Sequence, residues 1–150
     1  MLARAAAALV LAALALTACS RSDGPAPSPE CTVGPRELAK ALRAAPGDVR
    51  LVDGTPISDC VGRARSDSNL QNIGLALTRV AEDLEAGART APRPALELGY
   101  LIGAARRGAP HDSSLQAELV YRLERSAAVS MPPECERALV EGMRAGERRG

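Results

Sequence analysis

Beyond residue 31, apolar positions recur every three to four residues along almost the whole chain, which is the period of an amphipathic helix. Gly34-Pro35 opens the first predicted helix, with proline at its favoured first position. Leu38, Ala41, Leu42 and Ala45 form its apolar stripe, and Pro46-Gly47 stops it. Val49 to Val52 alternates briefly before an Asp53-Gly54 turn signal, enough for a short extended run and not for a sheet. A second helical stretch starts near Ser58 and carries Cys60, Val61 and Ala64. The clearest helix is next. Ser68 and Gln71 have the spacing of a capping box, and Leu70, Ile73, Leu77, Val80 and Leu84 share one face, with Glu82, Asp83 and Glu85 mostly off it.

Pro94 starts another helix with Ala95, Leu98, Leu101, Ile102 and Ala105 inward; Gly108 caps it and Pro110 prevents its continuation. Ser113 and Gln116 repeat the capping-box spacing ahead of a stripe of Leu115, Leu119 and Leu123. Pro132-Pro133 launches a final helix that turns Cys135, Leu139 and Met143 to one side and ends at Gly146. The expectation is an all-α domain over residues 31–146, a small bundle of four to five helices joined by short loops, then a polar, frayed tail at 147–150.

The first thirty residues are built differently. Met1 to Arg4 is a short positive segment, and Ala5 to Leu16 is twelve residues without a charge. Twelve is short of the ~20 apolar residues that span a bilayer and suits the apolar region of a signal peptide. The next residues, Leu16-Thr17-Ala18-Cys19, are an aliphatic residue, two small ones and a cysteine. This resembles the lipobox of bacterial lipoproteins.

The resemblance implies that residues 1–18 are removed as a signal peptide and that the Cys19 thiol receives a diacylglyceryl group. It also implies that the exposed amino group can take a further fatty acid. The product would be exported and held on the outer face of the cytoplasmic membrane. Each buried CH₂ adds ~0.8 kcal/mol, so two or three chains hold stably where one does not. The competing expectation is an ordinary secretory peptide cut after Ala18, leaving Cys19 a free thiol. Residues 19–30 then read as the lipidated cysteine and a flexible tether, rich in serine and proline and poor in core-forming residues.

Composition changes this picture in two ways. Phe and Trp are absent and the aromatic residues are Tyr100 and Tyr121, so a core of Leu, Val, Ile and Ala buries little area per residue. A single small domain of this kind has modest stability unless something covalent helps. Basic and acidic residues total 19 and 18, and they are interspersed. Such a balance lacks the electrostatic footprint of a nucleic-acid binder.

With Cys19 assigned to lipid, Cys31, Cys60 and Cys135 remain, and an odd number allows at most one internal disulfide. Export permits oxidation. Cys31 with Cys60 is the favoured pair because both flank the first helix, and closing that loop adds roughly 3–4 kcal/mol in the chain-entropy description. Cys135 is then a free, small buried hydrophobe. Cys60 with Cys135 is the competing pairing.

No reaction chemistry stands out. One histidine and no close cysteine pair argue against a metal site, and no cofactor is expected. His111-Asp112-Ser113 holds the residue types of a hydrolase triad, but adjacent residues cannot converge as a triad must; His111 reads as a polar loop residue. Gly99 and Gly103 have small-xxx-small spacing, read as a close helix–helix crossing or, alternatively, as a ligand groove beside Tyr100. Arg106, Arg107 and His111 read as a solvated helix end or as a cationic patch facing an anionic headgroup or an acidic partner. No second carboxylate pair faces Glu82, Asp83 and Glu85 for acid–base work.

Several segments give the chain a similarity to small Ala/Arg-rich lipoproteins of high-GC actinobacteria: Asp53-Gly54-Thr55, Ser58-Asp59-Cys60-Val61, Leu98-Gly99-Tyr100-Leu101, Gly103-Ala104 and Arg106-Arg107-Gly108-Ala109. That likeness carries no mechanism. The expected function is a non-catalytic, membrane-tethered domain that binds another envelope component, a protein in the first instance. The alternative is a small-ligand or lipid binder with a pocket at Gly99, Tyr100 and Gly103.

Overall fold

A computed structural model describes residues 25–109 and 114–150. After a 3₁₀ turn at Pro29–Thr32, six α-helices follow among the described residues: α1 Pro35–Leu42, α2 Ile57–Arg63, α3 Asp67–Ala88, α4 Pro92–Gly108, α5 Ser114–Ala127 and α6 Pro133–Arg149. No described residue lies in a strand. The all-α expectation holds, and the number of helices is six rather than four to five. The additional helix is α2, of 7 residues, read from the sequence only as a helical stretch near Ser58 and too short for periodicity to separate from a turn. Val49 to Val52 forms no strand. Leu51 N–H instead donates to Thr55 O (3.0 Å) and Gly54 N–H to Leu51 O (2.9 Å), closing a tight turn.

Several helix ends differ from the sequence reading for local reasons. Helix α3 starts at Asp67, capped by Ser66, whose hydroxyl accepts from Asn69 N–H at 3.3 Å; Ser68 is inside the helix. Helix α4 starts at Pro92 rather than Pro94, since proline is tolerated throughout a first turn, where no intrahelical donor is needed. The Ser113 cap falls outside the described residues. Helix α6 runs past Gly146 to Arg149, and Gly150 is buried. The expected frayed tail at 147–150 is therefore an ordered last turn of helix. Its carbonyls are tied down: Arg107 donates to Glu147 O (3.1 Å) and to Arg148 O, and Ser58 Oγ donates to Gly150 O.

Helix α4 is the centre of the molecule. Every residue from Ala95 to Ala105 except Leu96 is buried, and Leu96 is partly so. Its tightest neighbour is α6. A side chain at Gly99 would overlap the Leu139 carbonyl, and one at Gly103 the Met143 carbonyl. From the other side, Gly142 and Gly146 face the carbonyls of Leu96 and Tyr100. Residue numbers rise together along both helices, so α4 and α6 run parallel, with α5 as the return crossover.

Four glycines inside helices cost about 1 kcal/mol each relative to alanine. What offsets that cost is backbone-to-backbone contact, with dispersion and Cα–H···O interactions that side chains would prevent. This also corrects the expected face of α6: its buried positions are Cys135, Ala138, Gly142, Ala145 and Gly146, with Leu139 and Met143 only partly covered.

Parallel packing places two negative helix ends together, an unfavourable alignment of dipoles that cations relieve. Arg106 lies between Glu124 of α5 (2.8 Å) and Glu147 of α6 (3.2 Å), Arg107 holds the α6 carbonyls as above, and Arg149 donates to Pro46 O (3.3 Å). At the opposite end of α4, Arg93 pairs with the largely buried Glu97 (2.8 Å) and donates to Ala45 O (2.8 Å) and Arg43 O. That one guanidinium satisfies carbonyls of the turn after α1.

Candidate functional site

Three places in the molecule bear on function: the junction where the N-terminal segment joins the fold, the α4–α6 contact, and the outer groove between α3 and α5. The junction is covalent. Cys31 and Cys60 form a disulfide with Cα atoms 5.3 Å apart, joining the 3₁₀ turn to α2. Both cysteines are buried, and with Leu38, Leu51, Ile57 and Leu77 they enclose a gap of only about 10 Å³, no larger than one water needs. Among the described residues Cys135 is the free cysteine, and it is fully buried on α6. Burial pushes its thiol above the usual range, away from the reactive thiolate.

Just before the disulfide, Ser28 is bound into the turn that follows Leu51. Its hydroxyl accepts from Glu30 N–H (3.1 Å) and donates to Asp53. The same carboxylate accepts from Thr55 N–H (2.9 Å) and Thr55 Oγ1 (2.8 Å). The Ser28 hydroxyl first, then Thr55, hold the Asp53 carboxyl below the usual carboxylate range. Gly54 takes φ +85°, a conformation that costs a non-glycine residue dearly. The part of residues 19–30 nearest the fold is thus structured, while Cys19 itself and residues 1–24 lie outside the described residues.

The groove expected beside Gly99, Tyr100 and Gly103 is closed. Backbone of α6 fills the space left by both glycines, and Tyr100 is 0% exposed. Its hydroxyl accepts from Val49 N–H at 3.4 Å, and burial pushes the phenol pKa above its ordinary value. The crossing, the other sequence reading, is what these residues build. Sequence reasoning missed the partner half: Gly142, Gly146 and Gly150 repeat at four-residue spacing and are the complement of Gly99 and Gly103.

The cationic patch is likewise used internally. Arg106 and Arg107 bind carboxylates and carbonyls of α5 and α6, and His111 lies outside the described residues. Glu85 of α3 pairs with Arg89, the residue that follows the end of that helix (2.6 Å). Among the described residues, no group of three or more His, Cys, Asp and Glu is arranged to hold a metal ion, and no helix is long and apolar enough to cross a membrane.

An open groove of about 440 Å³ runs between α3 and α5. Its floor is Leu70, Gly74 and Leu119, and its walls include Leu75 and Leu115, exposed at 52% and 53%. The sequence puts Leu115 on the inward stripe with Leu119 and Leu123; it instead occupies the first turn of α5 and stays half exposed on the wall of this groove. The Glu118–Arg122 pair (2.8 Å) edges the groove. No protein family, curated protein or solved structure matches this chain.

Proposed function

We propose that this protein is a lipid-anchored envelope protein: an exported helical domain fastened to a membrane by acyl chains on Cys19, acting by binding another envelope component rather than by catalysis. The observation that carries the reading is the sequence Leu16-Thr17-Ala18-Cys19 directly after twelve uncharged residues. The structured junction supports it. A disulfide between Cys31 and Cys60 suits an oxidising compartment, and it ties the end of the tether to the core. The interior supports a binding role on the surface, because the α4–α6 contact leaves no chamber at Gly99 and Gly103.

Expression of the full chain with Cys19→Ala tests the anchor. The wild-type product is recovered with membranes and labelled by fatty acid, and the variant is unlabelled and soluble. A variant that stays membrane-bound contradicts the reading. A second reading, a small-ligand or lipid binder, is favoured by the α3–α5 groove with its exposed Leu75 and Leu115. Ligands bound only by the native state raise Tm, so a thermal-shift panel of metabolites and lipids distinguishes the two.

A further inference from the structure

Among the described residues, the exposed large hydrophobic residue with the greatest accessibility is Val52, at 84%. It sits at the tip of the turn closed by the Leu51–Thr55 and Gly54–Leu51 backbone bonds. The Asp53 carboxylate stiffens that turn through Thr55 and links it to Ser28. Val52 is therefore presented in one geometry, beside Ser28 near the start of the described residues.

We infer that the Val52 turn is the membrane-facing tip of the domain, resting in the headgroup layer of the lipid bilayer that carries the anchor. The inference rests on the lipid-anchored reading. Cys19 precedes Ser28 by nine residues, which span at most about 30 Å fully extended. A lipid on Cys19 thus keeps the Ser28–Asp53 link within that reach of the bilayer, whatever path the tether takes.

The charges around the turn are Glu30, Glu37 and Lys40, Asp48 paired with Arg50 at 2.9 Å, and Asp53 within it, an acidic excess. Like-charge repulsion sets such a surface against anionic headgroups and leaves zwitterionic ones as its lipid neighbours. One valine cannot hold a domain on a membrane. It can orient a domain that acyl chains already hold, and it does so without ordering a flexible loop first.

The chain has no tryptophan, so Val52→Trp gives a single-fluorophore probe at an exposed position. The chain from Cys19 to Gly150 contains every described residue of the fold. It is coupled through the Cys19 thiol to maleimide-lipid in phosphatidylcholine vesicles; Cys135 is buried and does not compete. Leu75→Trp and Val140→Trp, on α3 and α6, report two other surfaces.

On coupling, the Val52→Trp emission shifts to shorter wavelength. Brominated acyl chains quench it several-fold more strongly than the two controls. No shift at position 52, or equal quenching at all three positions, overturns the inference, and quenching confined to Leu75→Trp assigns the lipid-facing surface to the α3–α5 groove instead. Because the lipid is attached chemically, the result does not depend on whether cells acylate Cys19.

Discussion

Helices α4 and α6 meet backbone to backbone, whereas α3 and α5 meet across an open groove, and each contact has glycine at its centre. In the first, a Cβ at Gly103 would collide with the Met143 carbonyl; in the second, a Cβ at Gly74 would find only Leu119 Cδ1, at an ordinary 3.5 Å. The same residue type therefore plays opposite roles. Along α4 and α6 glycine is required by close approach. On α3 it leaves a surface unfilled, at the usual cost of glycine in a helix interior. A chain without Phe or Trp makes its centre dense by bringing helices together rather than by filling the space between them with large side chains.

The comparison can be broken most severely at the tight contact. Gly103→Ala forces the helices apart and lowers stability by about 2 kcal/mol or more despite its better helix propensity; the thermal midpoint falls by roughly 5–10 °C. Unchanged or raised Tm would show that α4 and α6 do not approach as described. Removing the covalent junction comes next. Cys31→Ser with Cys60→Ser releases a link across a sequence separation of 29 and costs about 2–4 kcal/mol in urea unfolding. If the two regions are independent, this loss adds to that of Gly103→Ala. The smallest effect sharpens the contrast by its sign. Gly74→Ala raises stability by about 0.5–1 kcal/mol, so equal losses at Gly74 and Gly103 would remove the distinction.

Much of the architecture was legible in the apolar periodicity. Leu70, Ile73, Leu77 and Val80 on α3, and Ala95, Leu98, Leu101, Ile102 and Ala105 on α4, are buried as that period requires. The Cys31–Cys60 pairing also followed, because both cysteines flank a short helix. Periodicity failed where burial depends on a missing side chain. Gly99 and Gly103 were recognisable as a crossing, but Gly142 and Gly146 are invisible to a search for apolar stripes, and so the buried face of α6 was drawn through Leu139 and Met143. Leu115 is the converse case: it has helical spacing with Leu119 and Leu123, yet it stays half exposed at the groove wall. The internal engagement of Arg106 and Arg107 could not be read locally, since their partners on α5 and α6 lie 18 to 41 residues away.

The candidate site divides along the same line. The Cys19 motif is a local pattern and needs no fold to be recognised. The Ser28–Asp53 brace and the Val52 tip bring together residues 25 apart in sequence, which no local pattern announces.

The proposed anchoring requires fatty acids, not polypeptide, to fasten the domain to a membrane. Intact-mass spectrometry of the protein purified from its native cells measures this directly. The account predicts a chain beginning at Cys19 whose mass exceeds that of the peptide by a diacylglyceryl group, with or without an additional acyl chain. A chain beginning at any other residue, or one lacking fatty-acid mass, contradicts it.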